Sequence, residues 1–224
     1  MTALTFTLIK MPIFKLDCSR LTPNNLANLS LLEIKNLTLT GNTNPPIVSD
    51  FFEISGENPD DVYFKNTTNQ LHSIGYKISQ GLITIEGDCG DFLGAKMQGG
   101  TIICKGNAGD RVGDQMRRGL ILVNGNAGDY CGSRLVAGTI GVYGCIGHYT
   151  GFAMKRGTIL LTKTPKLHAT IQDCGVHTLP FLALLFHSFT TLSTPFNTLK
   201  TQRVQRYAGD LGCNGNGEIL ILSH

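Results

Sequence analysis

The chain has 224 residues, 42% of them hydrophobic and 16% charged, a length that fits one domain with appendages around a sizeable core. Its 27 glycines exceed the usual ~7% share, charge falls below the usual ~25%, and eight prolines are too few for a collagen or a disordered linker. Nineteen Lys and Arg against sixteen Asp and Glu leave a formal charge of +3, too little to argue for nucleic acid or an anionic membrane as partner. No apolar run reaches the ~18 residues of a spanning helix. The opening MTALTFTLIKMPIF lacks a basic head, an apolar stretch and a cleavage site, and the seven cysteines include no C-x-x-C pair. A reduced, cytoplasmic protein is expected.

In chain order, Leu4–Ile9 reads as a strand. Thr22 offers a capping hydroxyl and Pro23 a first helical residue, so a short helix is predicted there, with a loop at Asn42–Pro46. Residues 1–50 would suit a cap, which the end of a stacked array needs to hide unpaired strand edges.

From Gly81 onward a nineteen-residue period takes over. Units begin at Gly81, Gly100, Gly119, Gly138 and Gly157 without insertion or deletion. Three more glycine columns hold register: Gly87, Gly106, Gly125, Gly144; Gly90, Gly109, Gly128, Gly147; and Gly94, Gly113, Gly132, Gly151. The third position is always isoleucine (Ile83, Ile102, Ile121, Ile140, Ile159), and two residues on stand Ile85, Cys104, Val123, Val142 and Leu161. A spacing of two puts both columns on one face of a strand. A later column holds Met97, Met116, Leu135 and Met154, soft side chains suited to filling an irregular interior. A unit this short cannot enclose a core alone. Stacked strand on strand at ~4.8 Å it can, which makes the expected fold all-β, a parallel β-helix of nineteen-residue coils. Counting nineteen back from Gly94 reaches Gly75 and then Gly56, and from Met97 reaches Ile78. Residues 51–80 are therefore expected to form one or two degenerate coils with Phe52 and Ile54 in the core. The solenoid would span 51–162.

After Leu161 the pattern stops at KTPK. In the extension 163–224, Leu179–Leu192 reads as an apolar helix, and Glu218–Leu222 as a terminal strand. Such greasy elements beside a small core suggest a docking surface for other subunits.

Chemistry is sparse. The Gly87–Gly90–Gly94 spacing superficially matches a dinucleotide fingerprint, but it recurs at strand spacing with no helix after it, so nucleotide binding is disfavoured. Asp91, Asp110 and Asp129, with His148 next in the column, read as solvated corner residues, because no second acidic column accompanies them to hold a cation. Cys18, Cys89, Cys104, Cys131, Cys145, Cys174 and Cys213 lack cluster spacing, and His148, His168, His177 and His187 lack ligand spacing, so no metal site is expected. No catalytic residue emerges. Lys96, Arg117, Arg118, Arg134, Lys155 and Arg156 fall near the ends of their units and so gather at one corner. This is either a solvated edge or a surface attracting an acidic partner.

The motif G-x-I-x-[IV]-x-G-[DN]-[AC]-G-D-x-x-G-x-x-[ML], with its MRRG and MKRGTI joints, resembles the C subunit of formylmethanofuran dehydrogenase and the related C subunit of the bacterial formyltransferase/hydrolase complex. It is more distantly similar to the glycine-repeat domain of the glutamate synthase large subunit. The flanks LTPNNLANLSLLEI, FFEISGENPDD, LPFLALLF and RYAGDLGCNGNGEIL resemble the bacterial complex more.

The resemblance implies a right-handed, single-stranded solenoid in a cytoplasmic hetero-oligomer with the A, B and D subunits, working in one-carbon oxidation. There, the formyltransferase (D) component moves the formyl group of formyl-tetrahydromethanopterin to a methanofuran-type carrier, and the metal site of the hydrolase (A) component releases formate. In the dehydrogenase, a molybdenum or tungsten pterin centre in other subunits does the redox step. The resemblance therefore implies no active site or cofactor in this chain, the carrier and metal belonging to partners. The carrier of these systems has a glutamate-rich tail, and part of the basic corner, Arg117, Arg118, Lys155 and Arg156, is expected to face an acidic partner surface or that tail. The alternatives are a dehydrogenase scaffold and a glutamate-synthase-type repeat scaffold.

Overall fold

A computed structural model describes residues 2–39 and 45–222, so most of the loop expected at Asn42–Pro46 lies outside the described residues. The protein is largely β, with few and short helices. Its N-terminal part holds β1 (Ala3–Leu8), β2 (Leu16–Asp17), α1 (Pro23–Leu26) and α2 (Leu31–Lys35). Next come β3 (Phe52–Ser55), β4 (Asn58–Lys65) and β5 (Leu71–His72). The repeats contribute β6 (Leu82–Ile85), β7 (Thr101–Cys104), β8 (Leu120–Val123), β9 (Thr139–Val142) and β10 (Thr158–Leu161). Beyond them lie β11 (Gln172–Thr178), α3 (Phe181–Ser188), β12 (Arg203–Gly209) and β13 (Gly217–Leu222).

One eleven-stranded mixed sheet runs β11-β12-β13-β10-β9-β8-β7-β6-β4-β1-β3 without closing into a barrel, and β2 pairs with β5 apart from it. From β6 to β10 neighbours are parallel and offset by the nineteen-residue period: Ile83 pairs with Ile102, Ile102 with Ile121, Ile121 with Ile140 and Ile140 with Ile159. All five isoleucines are fully buried, as are Met97, Met116, Leu135 and Met154. A second line of parallel bridges, Cys89 to Ala108 to Ala127 to Ile146, ties each unit to the next at another corner. Each unit thus stacks its isoleucine on those of its neighbours.

Upstream of β6 the period holds through Gly75, left-handed like Gly94, and Ile78, buried like Met97, but breaks at β4, where Val62 pairs with Ile83 and Phe64 with Ile85, twenty-one residues apart. Residues 51–80 supply a single unit-like layer through β4 and β5. Phe52 and Ile54 are buried, but in β3, which runs antiparallel to β1 at the sheet's edge. β1 inserts parallel to β4. Phe6, Phe52 and Phe64 pack there with ring centroids 5.3–6.2 Å apart, so aromatic bulk replaces the aliphatic column. Gly56 is no unit corner, for a Cβ there would meet the Ala3 carbonyl oxygen. Thr22 does not cap α1, as its hydroxyl has no partner; Ser30 and Glu33 instead form a capping box on α2.

At the other end β13 adds a further parallel layer, with Ile219 opposite Ile159 and Ile221 opposite Leu161. β12 and β11 follow antiparallel. The apolar helix is shorter than Leu179–Leu192. Leu182 and Phe186 are buried, whereas Leu184 is 76% exposed. With Phe189 and Phe196 they form a second core on the outward face of the sheet, over Leu122, Leu160, Leu220 and Leu222. Gly141 stands mid-strand in β9 because a Cβ there would sit 2.9 Å from the Phe196 ring.

Candidate functional site

The aspartate column is not merely solvated. Asp91 Oδ1 accepts the Asp110 N–H at 3.0 Å, Asp110 Oδ1 the Asp129 N–H at 2.8 Å, and Asp129 Oδ1 the His148 N–H at 2.7 Å. A second ladder does the same from Asp88 to Asn107 to Asn126 to Cys145 at 2.7–2.9 Å. Each side chain curls over the next unit's corner, where a Cβ would collide with it. At Gly109 that atom would lie 2.4 Å from Asp91 Oδ1. Asparagine can stand for aspartate in the second ladder because the rung needs only an accepting oxygen, and the Asn107 amide also donates to Asp88 Oδ1 at 3.0 Å. The ladder begins at His72, whose Nδ1 accepts the Asp91 N–H at 3.0 Å, and Lys15 Nζ reaches Asp91 Oδ2 at 3.0 Å. Partial burial pushes the Asp91 carboxyl up, but the Lys15 hydrogen bond and the Asp110 N–H outweigh it and hold it below the usual carboxylate range.

The cysteines divide by burial. Cys18, Cys89, Cys104 and Cys131 are buried. Cys89 and Cys104 sit with Sγ atoms 3.7 Å apart, a proximity that their fifteen-residue separation hides in the sequence. Their mutual hydrogen bond and burial push the Cys89 thiol well up, and burial takes Cys131 to about 12, so these are unreactive core side chains. His148 and His168 line one shallow groove with Tyr149 and Lys166, while His168 Nδ1 meets Thr170 Oγ1 at 2.8 Å and His177 Nε2 the Cys174 carbonyl at 2.8 Å. Among the described residues no group of three or more His, Cys, Asp or Glu could hold a metal ion.

The six basic residues do not share a task. Arg134 is committed to Asp114, with Nε 3.0 Å from Oδ1 and Nη2 2.6 Å from Oδ2. Burial pushes the Asp114 carboxyl up, yet the Arg134, Ser133 and Gln115 hydrogen bonds hold it below its usual value. Lys155 Nζ donates to the Cys213 carbonyl at 2.7 Å and so fastens the C-terminal extension to the last repeat. Lys96 lies over the Tyr76 ring. Arg117, Arg118 and Arg156 are exposed and in no ion pair among the described residues.

Sequence reasoning missed one column. Phe92, Arg111, Tyr130 and Tyr149 occupy equivalent positions, all left-handed with φ between 57° and 64°. They stack outside the corner: the Arg111 guanidinium lies 4.7 Å from the Tyr130 centroid, and Tyr130 and Tyr149 stack at 4.8 Å. Phe92, Tyr149 and Phe152 are each about two-fifths exposed or more. The nineteen-residue alignment holds the signal, since three aromatics share one register, but a charged residue interrupts it.

Among the shallow grooves of the surface, one of about 240 Å³ lies beside α3 and one of about 460 Å³ between α1 and the Tyr76–Lys77 corner. Neither is lined by a carboxylate. Exposed charge and aromatic groups line the long faces of the stack. The class defined by this fold is a repeat-built β protein that presents faces instead of a cleft.

Neither a family model nor a curated protein matches the chain. Among solved structures, it is similar to a chain of the formyltransferase/hydrolase complex from Methylorubrum extorquens, determined in complex with methylofuran. The two share 30% identity and a TM-score of 0.66, over 98% of this chain and 100% of that one. The chain belongs to the family of that formyltransferase/hydrolase complex component, whose solved member works inside a multi-subunit assembly. Among the described residues no helix is long and apolar enough to cross a membrane.

Proposed function

We propose that this chain is the C subunit of a cytoplasmic formyltransferase/hydrolase complex and serves it as a non-catalytic scaffold. The observation that carries this reading is the full-length similarity at 30% identity to a chain of such a complex. In this reading the stacked units wind as a right-handed parallel β-solenoid over 51–162, capped by 1–50 and extended by 163–224. The partner A, B and D subunits hold the methanofuran-type carrier and the metal, and this chain binds no cofactor.

The interior supports a scaffold: aliphatic columns fill it, and the corner carboxylates are spent on backbone N–H groups. Arg117, Arg118, Lys155 and Arg156 face an acidic partner surface or carrier tail, with Lys155 also bonded within the chain. Purification of the tagged chain from its own cells tests the reading. Co-purification of the formyltransferase and hydrolase subunits is expected, with no formyl transfer or hydrolysis by the isolated chain. Recovery of the chain alone, or turnover by it, overturns the proposal. Charge reversal at the four basic positions is expected to weaken assembly or turnover.

A further inference from the structure

One corner of the stack holds cations without their counter-charge. Lys77, Lys96 and Arg134 occupy the same register, and all three are left-handed, with φ of 54–56°. Arg134 reaches twenty residues back to the buried carboxylate of Asp114. The same reach from Lys96 lands on Tyr76, so its ammonium rests 5.7 Å from the ring centroid, and that of Lys77 lies 5.3 Å from the same ring. Among the described residues neither lysine has a carboxylate within ion-pairing distance.

The groove of about 460 Å³ is lined by Arg20, Asn24, Asn25, Tyr76, Lys77 and Gln98 among others, and Lys96 adjoins it through its contact with the Tyr76 ring. Arg20 donates through Nη1 to the Thr38 carbonyl and hydroxyl, which anchors its guanidinium at the rim. The acids on flanking segments are engaged: Asp17 accepts the Ser19 N–H, and Asp60 the Gln80 amide. Two ammonium groups held on one ring repel each other, and an anion set between them and Arg20 relieves that repulsion while gaining charge-assisted hydrogen bonds. The asparagine and glutamine amides supply further donors.

We infer that this groove binds a small oligoanion, a ligand bearing two or more carboxylate or phosphate groups held by Lys77 and Arg20, with Lys96 adding its charge from the Tyr76 ring. The inference goes beyond the scaffold role and is independent of it. Calorimetric titration of the purified full chain at low ionic strength with tripolyphosphate, and separately with propane-1,2,3-tricarboxylate, tests it. Saturable one-to-one binding of at least one probe is expected, and the tighter probe identifies the ligand's anionic group. Lys77→Gln combined with Lys96→Gln should weaken binding about tenfold or more. Tyr76→Asp, which copies the Asp114 arrangement, should do the same with the fold intact by circular dichroism. Lys163→Gln with Lys166→Gln, both exposed and outside the groove, should leave affinity unchanged. Absence of saturable binding by either probe, or an equal loss in the Lys163/Lys166 variant, overturns the inference.

Discussion

Asp110 Oδ1 accepts the backbone N–H of Asp129 at 2.8 Å, one unit further along the stack. Without that acceptor the Asp129 N–H has only water to bond. Asp110→Ala is therefore expected to destabilise the fold by ~1 kcal/mol, while Asp110→Asn, which keeps the oxygen, stays close to the parent. Urea unfolding of both variants checks this, and equal losses would argue against the ladder.

Gly128 lies under that same carboxylate, a Cβ there falling 2.2 Å from Asp110 Oδ1. Its φ is not left-handed, so substitution acts through collision and not through a forbidden backbone. Gly128→Ala is expected to cost ~1–3 kcal/mol. Part of the cost should vanish in the Asp110→Ala background, where only backbone atoms at 2.9 Å remain in the way. A double-mutant cycle measures that coupling.

The Asp114–Arg134 pair predicts a pH dependence. The Asp114 carboxyl titrates lower in the folded chain than in the unfolded one, so its contribution is present above the unfolded value of ~4. It is lost as pH falls through the lower folded value. Arg134→Met is expected to destabilise by ~2 kcal/mol near neutrality. The gap between variant and parent should close in acid, where a protonated Asp114 no longer needs the guanidinium. Melting temperatures of both proteins from about pH 7 down to about pH 2.5 decide it.

Gly141 accommodates the Phe196 ring, so Gly141→Ala should loosen the outer cover without breaking the aliphatic columns. Faster amide exchange is expected in α3 and around Phe196, with β7 unchanged. By contrast Ile121→Ala, in mid-column, should cost ~2–5 kcal/mol and speed exchange throughout the stack.

The repeat is legible because its period is enforced by contact: every isoleucine of the column pairs with the next, so no unit can drift. Where that constraint ends, the sequence misleads. Counting back to Gly56 ignores the two extra residues that set Val62, not Phe64, against Ile83. The strand at Glu218–Leu222 is visible from composition, yet its place beside β10 depends on a long connection that no periodicity records. The corner aspartates show in the sequence only as a polar column. Their role needs the backbone, since an acceptor for a neighbouring N–H leaves no trace in residue type. The unpaired lysines are equally hidden, because only alignment through Arg134 reveals what Tyr76 displaces.

The strand order carries one more consequence. Parallel pairing continues from β13 to β1, and at both ends the next strand runs the opposite way, β12 on one side and β3 on the other. The edges of the sheet are therefore β3 and β11, and no strand of the repeat is itself an edge. The chain is a gauge of fixed length, and whatever is mounted along it is held at distances set by the number of units alone.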